Sequence, residues 1–412
     1  MDILVARTRF DCASALENID GIADAMVLAK STPGHALCLC TTPSRKLVIR
    51  TVGMRHFLAV WPHDGYNHHY ACPFHRDEVE AGGDGAPLEP AIKESEEGFD
   101  IAADFPMAKM LQRESPDPAA APTPPNPLAP PSRRTQRARM GLLGVLQHLW
   151  TTGGLNRWGR GWKRDWWRVT QELIGVIEQG SVGGQPMKER LYLVPEFNLK
   201  RKDLIDHAWD EFKARMIPGD AQVRMGLIIG EIKEFSSSSF GYKIAIRHFG
   251  SALYLRQELR QKLSESFPRA FHKLNGPQEQ RNIGIFLVEL APKGYLNVID
   301  AALMACSLHY IPVDSSYEGK VAHKLVDEQR SFSKPLRLEV EGSTLPDFVL
   351  TDTNPPCVME VYGMTSNEYL ERKAEKQALY RKEGKPVWSW DAAVDKHIPR
   401  FPERVATGSS AP

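Results

Sequence analysis

Before residue 80 the apolar positions alternate or run in short blocks: Ala36-Leu-Cys-Leu-Cys40, Leu47-Val-Ile-Arg-Thr-Val52 and Phe57-Leu-Ala-Val-Trp61. That pattern predicts short strands joined by loops. Further on, Gly141 to Trp150 carries helical spacing and stops at Gly153-Gly154, and a second helix is predicted from Arg164 to Glu178. A short hairpin is expected near Leu191–Val194. Met225–Ile232, Phe240–Arg247 and Ile283–Leu290 read as strands, whereas Ser251–Ser266 and Tyr295–His309 read as helices. The last part of the chain has the clearest order. Helix Gly319–Arg330 is followed by strands Leu336–Val340, Pro346–Leu350 and Cys357–Tyr362, then helix Asn367–Lys382 and strand Pro386–Trp390. This is an αβββαβ unit, with Gly384 placed to end its second helix.

Composition breaks the chain at Ser115, where Pro-Asp-Pro-Ala-Ala-Ala-Pro-Thr-Pro-Pro-Asn-Pro follows, with Pro130-Pro131 beyond. Proline at that density excludes helix interiors and central strands, so residues 113–138 read as a linker. The expected division is a β domain over 1–112, a basic helical module over 139–200, a central α/β region over 201–310 and the αβββαβ unit over 311–400. The fold class is therefore multidomain α/β (α+β). Two helices followed by a hairpin also suit a winged-helix arrangement for the basic module.

The final unit carries the most informative chemistry. If Pro346–Leu350 and Cys357–Tyr362 form a hairpin centred between Thr353 and Asn354, Asp347 faces Glu360 and Leu350 faces Cys357. Directly opposed residues in an antiparallel pair share a face, about 5 Å apart. Two carboxylates at that distance repel unless a proton or cation lies between them. A hard cation such as Mg²⁺ suits such oxygens. On the following helix Tyr369, Lys373, Lys376 and Tyr380 line one face and can bring an amine to the acids. The alternating Lys and Glu of Glu368 to Lys382 would equally suit a solvated surface.

Pro346-Asp347, thirteen further residues and Glu360-Val-Tyr362 resemble the PD-(D/E)xK nuclease superfamily, whose core is αβββαβ. The resemblance implies a restriction-endonuclease-like domain in the C-terminal quarter, with Asp347 and Glu360 as Mg²⁺ ligands. It also implies a lysine two residues after the glutamate; that position is Tyr362 here, so Lys373 or Lys376 would substitute. A glutamate on the first helix is common in the superfamily, and Glu318 is the candidate, although Ser315-Ser-Tyr-Glu318 also fits a capping box. If neither lysine reaches the acids, the implied alternative is a non-catalytic DNA-binding or scaffold protein.

Near the N-terminus, Cys38 and Cys40 fall on one side of a strand, and Cys72-Pro-Phe-His75 has zinc-knuckle spacing. Cys38, Cys40, Cys72 and His75 are the expected ligands of a structural Zn²⁺, with His68 and His69 just upstream. Buried free cysteines in a small β domain are the other reading. Three N-terminal cysteines on a chain of this length also resemble an uncharacterised bacterial family of unknown function. That likeness implies no activity.

Charge matters locally rather than globally, because the 412 residues carry a net charge of only +1. Between Arg133 and Arg168, arginines and lysines interleave with Trp150, Trp158, Trp162, Trp166 and Trp167. Arg157, Arg160, Lys163, Arg164 and Arg168 are candidate phosphate contacts, since cations neutralise the backbone and exposed indoles stack on unpaired bases. The partner expected is DNA. No apolar run is long enough to span a bilayer, and Met1–Phe10 does not read as a signal peptide. Six scattered cysteines argue against a disulfide framework, so a cytoplasmic protein is expected. The expected activity is Mg²⁺-dependent hydrolysis of DNA phosphodiesters.

Overall fold

The N-terminal sheet is built from Asp2–Val5 (β1), Thr8–Asp11 (β2), His35–Cys38 (β3), Arg45–Val52 (β4) and Arg55–Val60 (β5). Its order is β2-β1-β3-β4-β5, antiparallel throughout. The three strands expected from alternation are present. Helices Cys12–Glu17 (α1) and Ala23–Ser31 (α2) lie in a stretch read only as strands and loops. Their apolar stripe is thin, since α2 buries only Met26 and Ala29. Asp11 starts α1 by accepting the Ser14 N–H at 2.9 Å, the usual role of a side-chain oxygen at a helix start. This computed structural model describes residues 1–52, 55–62, 64–75, 90–110, 138–219, 222–238, 241–272, 280–336, 345–363 and 367–405. Most of the proline-rich segment, with Arg133, Arg134 and Arg137, lies outside them.

A second, small sheet follows. Ile92–Glu94 (β6) and Phe99–Ile101 (β7) join a later hairpin in the order β11-β10-β7-β6, while Ala108–Met110 (β8) pairs with the central sheet. Next come Leu142–Thr152 (α3), Arg157–Trp158 (β9), Trp166–Ile177 (α4), Gly180–Val182 (β10), Gln185–Pro186 (β11), Met187–Arg190 (α5), Leu191–Leu193 (β12) and Lys202–Met216 (α6). The hairpin is thus β10–β11 and not Leu191–Val194, because β12 pairs in parallel with a central strand. Helices α3 and α4 bury Val145, Leu146, Leu149, Trp150, Trp166, Val169 and Leu173 in a core shared with the central sheet. Arg50 ties the N-terminal sheet to this layer, donating to Ser95 O at 2.9 Å and to Gly98 O and Gln179 Oε1 at 3.3 Å.

The central sheet closes on itself. Gln222–Ser238 (β13) pairs antiparallel with Gly241–Ile246 (β14), which pairs antiparallel with Leu253–Leu255 (β15). Helices Gln257–Ser266 (α7) and Pro268–His272 (α8) then lead to Arg281–Leu290 (β16) and Leu296–Cys306 (β17). Strand β15 runs parallel to β17, β17 pairs antiparallel with β16, and β16 returns to β13. The result is a five-stranded barrel in the order 1-2-3-5-4-1. Gly230 and Gly284 sit opposite each other on β13 and β16. A Cβ on Gly230 would fall 2.4 Å from Ile246, so only glycine lets the strands close there.

Two helices expected from sequence are corrected by this barrel. Tyr295–His309 is strand β17, not a helix. Its Ala, Leu and Met residues favour helix alone, but pairing along nearly its whole length with β16 overrides that preference. Ser251–Ser266 divides into β15 and α7, and Leu253 and Leu255 turn inward as a strand would place them.

The C-terminal unit runs Ser316–Asp327 (α9), Phe332–Ser333 (β18), Phe348–Leu350 (β19), Cys357–Tyr362 (β20), Asn367–Lys382 (α10) and Val387–Asp391 (β21). Its sheet order is β21-β20-β19-β18-β9, with β20 and β21 parallel and the other pairs antiparallel. Strand β18 stands where Leu336–Val340 was expected; Leu336 is not in a strand, and residues 337–340 lie outside the described set. One core cluster joins Phe286 and Leu253 of the barrel to Phe348, Met359 and Trp390 of this sheet. Among the described residues, no helix is long and apolar enough to cross a membrane.

Candidate functional site

The hairpin register is the one that brings two acids together. Phe348 faces Met359 and Leu350 faces Cys357, so Asp347 and Glu360 meet at the mouth of β19 and β20. Glu360 is only 2% exposed. Its Oε1 and Oε2 lie 3.2 and 3.1 Å from the Lys376 ammonium, and Tyr380 donates its hydroxyl to Oε1 at 2.7 Å. Lys376 also donates to Leu345 O at 2.8 Å. Asp347 Oδ2 accepts the Val361 N–H at 2.7 Å, which fixes the carboxylate against the neighbouring strand.

A third acid closes the site from the side. Glu318, in the first turn of α9, is buried. Ser315 Oγ accepts the Glu318 N–H at 3.0 Å, and Glu318 Oε2 accepts the Asp314 N–H at 3.0 Å. The capping arrangement is real, yet the same carboxylate also binds the buried Lys334 ammonium at 2.8 Å. Lys334 reaches exposed Asp314 at 2.8 Å as well. Its position is set from the tryptophan-rich segment: Lys334 N–H donates to Asn156 O, and Asn156 Nδ2 donates to Lys334 O.

These charges act on one another. Burial raises the Asp347 carboxyl above its ordinary range; Lys334 opposes the rise and Glu360 adds to it. Burial likewise raises Glu318, with Lys334 pulling down and Asp314 and Asp347 pushing up. Lys334 is driven upward by Glu318, Asp314 and Asp347, which outweigh the cost of burying it. Four acids, Asp314, Glu318, Asp347 and Glu360, thus stand around two amines, Lys334 and Lys376, and the acids outnumber the ammonium groups.

The two candidate lysines part company. Lys376 joins Glu360, whereas Lys373 pairs with Asp391 at 2.8 Å and lies 4.2 Å above the Tyr362 ring. Tyr362 is buried beside the acids rather than lining an open face. The side chain of Tyr369 lies outside the described set. Lys334 gave no sequence signal, because its role arises from α9 and β9 converging on it.

The N-terminal cluster is a different kind of site. Strand β3 and the turn after it supply Cys38 and Cys40, and residues 68–72 supply His68 and Cys72; their four ligand atoms lie within 4.8 Å of one another. Cys38 Sγ is 3.5 Å from Cys72 Sγ, and His68 Nδ1 lies 3.3 Å from Cys40 Sγ and 3.6 Å from Cys72 Sγ. His75, expected as the fourth ligand, turns its Nδ1 to His68 O at 3.0 Å instead. The Cys72-Pro-Phe-His75 turn faces the ring away, and His68, four residues before Cys72, takes its place. Contact with Cys38 and Cys40, together with burial, pushes the Cys72 thiol well up, while contact with Cys38 and Cys72 pulls the Cys40 thiol down. The Cys₃His set can hold a metal such as zinc, and its spacing suits a closed tetrahedral site.

The chain matches the family described as "Protein of unknown function (DUF1173)" over residues 10–393. The chain belongs to that family. Membership agrees with the likeness carried by Cys38, Cys40 and Cys72. No curated protein matches the chain. No solved structure matches it either.

In this DUF1173 chain the basic segment is divided between a cavity wall and the surface, where Arg160 and Lys163 are exposed. Arg157, Lys163, Arg164 and Arg168 line a cavity of about 440 Å³ against Phe57, Leu58 and Arg50 of the N-terminal sheet. Arg164 donates to Leu155 O and Arg157 O at 2.7 Å and to His309 O at 3.5 Å. Those bonds make it a structural clamp. Arg168 pairs with Glu172 at 2.8 Å, while Arg160 is exposed. Trp150, Trp158 and Trp166 are core residues, and Trp167 is exposed.

Proposed function

We propose that the C-terminal cluster is the centre of a metal-dependent DNA endonuclease hydrolysing phosphodiester bonds, as the PD-(D/E)xK resemblance implies. The observation that carries this reading is Lys376. Its ammonium lies 3.1 and 3.2 Å from the two Glu360 oxygens, beside Asp347, and offers from a helix the amine that Tyr362 does not. Asp347 and Glu360 would hold Mg²⁺. The donor set fits: the oxygens are hard, and the acids around Lys334 and Lys376 outnumber those amines. Mg²⁺ commonly takes one or two carboxylates and completes its shell with water and phosphate. When bound, such an ion polarises the phosphoryl oxygen and lowers the pKa of water.

The chain's own residues have distinct tasks in this reading. Lys376 offsets negative charge growing on the phosphate. Tyr380 and Val361 N–H orient Glu360 and Asp347. Lys334 neutralises Glu318, leaving the remaining charge on the Asp347–Glu360 side. The Cys₃His cluster holds structural Zn²⁺, and a reducing, cytoplasmic setting would keep its thiols available. Arg160 and Lys163 are the exposed cations left to contact DNA.

The non-catalytic alternative draws on one observation: Glu360 is already satisfied by Lys376 and Tyr380. Cleavage of plasmid and single-stranded DNA, with and without added Mg²⁺, separates the two. Mg²⁺-dependent nicking lost in Asp347→Ala supports the nuclease; DNA binding without cleavage by the wild type supports the alternative.

A further inference from the structure

The barrel carries a surface that the acidic site does not use. Its strand order, 1-2-3-5-4-1, with parallel pairing of the third and fifth strands and helices between the third and fourth, is the connectivity of the OB-fold. In that architecture the second and third strands and the loop between the fourth and fifth form the face that takes oligonucleotides or oligosaccharides. A shared fold does not establish function, so the residues must decide.

They decide in one direction. On β14 and β15, Ile244, Ile246, Leu253 and Leu255 point inward, which turns Lys243 and Tyr254 outward. Lys243 and Tyr254 are directly opposed across the two strands, and Tyr254 is opposed on its other side by Asn297 of β17. The loop between β16 and β17 brings Tyr295 to the same place. Its ring centroid is 5.7 Å from that of Tyr254, at 77°. Both rings are exposed, Tyr254 at 37% and Tyr295 at 43%. Lys293 in that loop and Arg256 after β15 are exposed beside them. Of the acids on the neighbouring elements, Glu234 lies opposite Ala245, Lys109 binds Glu289 at 3.4 Å, Lys262 binds Asp300 at 2.9 Å, and Glu258 is exposed two residues after Arg256.

We propose that this face binds single-stranded nucleic acid, with Tyr254 and Tyr295 stacking on bases and Lys243, Lys293 and Arg256 contacting phosphates. Two exposed rings set edge to face are an unfilled apolar platform, and each accessible π-face suits an unpaired base. The flanking cations favour a polyanion over a neutral oligosaccharide. The inference stands apart from the proposed cleavage, because it needs neither Asp347 nor Mg²⁺.

The test is fluorescence anisotropy of the 412-residue chain with labelled oligo-dT, without added magnesium. Binding should weaken on the order of tenfold or more in Tyr254→Ala/Tyr295→Ala, since both stacking faces are removed. The Phe/Phe double variant should keep wild-type affinity, which a loss caused by misfolding would not predict for the alanine pair alone if both melt alike. Lys243→Ala should lower the salt dependence by about one phosphate contact. Duplex DNA should compete poorly. The proposal is overturned if the alanine pair, folded as the wild type, binds oligo-dT equally well, if duplex competes as well as single strand, or if the wild type does not bind. Retained binding by Asp347→Ala keeps this result separate from the fate of the nuclease reading.

Discussion

The two clusters at opposite ends of the chain handle crowded anions in opposite ways. The N-terminal Cys₃His set gathers four ligand atoms from one strand end and one nearby loop. Its repulsion is relieved by a soft cation or by protons. The C-terminal set draws Glu318, Asp347 and Glu360 from a helix and two strands and interleaves them with Lys334 and Lys376. It neutralises part of its own charge from within, with Lys334 shared between Glu318 and Asp314. A closed set of protein ligands suits holding a fold together, whereas a self-buffered set with charge left over suits binding something that comes and goes.

The largest expected contrast is in activity. Asp347→Ala should reduce Mg²⁺-dependent plasmid cleavage by on the order of 10³ while leaving the melting transition in place. Cys72→Ser should do the reverse in kind, lowering zinc content in elemental analysis and removing hydrogen-exchange protection from the N-terminal sheet. If Cys72→Ser left both unchanged, the cluster would be only a group of buried thiols.

Stability offers the next contrast. Lys334→Met leaves Glu318 buried without its counter-charge and should cost about 3–5 kcal/mol in urea unfolding. Adding Glu318→Gln should recover most of that loss. Lys376→Ala should lower cleavage by about 10², whereas Lys373→Ala should change it by less than about threefold, because that amine is held by Asp391 and Tyr362. Equal losses would place both lysines in the site.

The smallest effect concerns pH. Contact with the Lys373 ammonium holds the Asp391 carboxyl below its ordinary range. Its folded-state pKa therefore lies below the unfolded value, so the pair stabilises the fold above the unfolded pKa and that contribution fades as pH falls through the folded one. Both partners are partly exposed, so Lys373→Ala should cost about 0–1 kcal/mol at neutral pH and nothing below the folded pKa, measured by denaturant melts across the acid range.

Several of these features were legible residue by residue. Alternation along Leu345 to Tyr362 specified the hairpin register, because the turn between Leu350 and Cys357 leaves one pairing that keeps Phe348, Leu350, Cys357 and Met359 buried. CxC and CxxH spacing pointed to the N-terminal cluster. Other features were not legible. The run from Leu296 to Cys306 has the composition of a helix, and only the facing strand makes it a strand. Arginines of the tryptophan-rich segment looked like one basic surface, but Arg164 is held by the carbonyls of Leu155, Arg157 and His309.

Local order came from the sequence through side-chain period, capping and turn residues, which act over a few neighbours. Partnership was decided by the tertiary structure. His68 rather than His75, Lys376 rather than Lys373, and the unforeseen Lys334 were each selected by which backbone segments meet. That selection depends on long-range packing, and no short-range pattern encodes it.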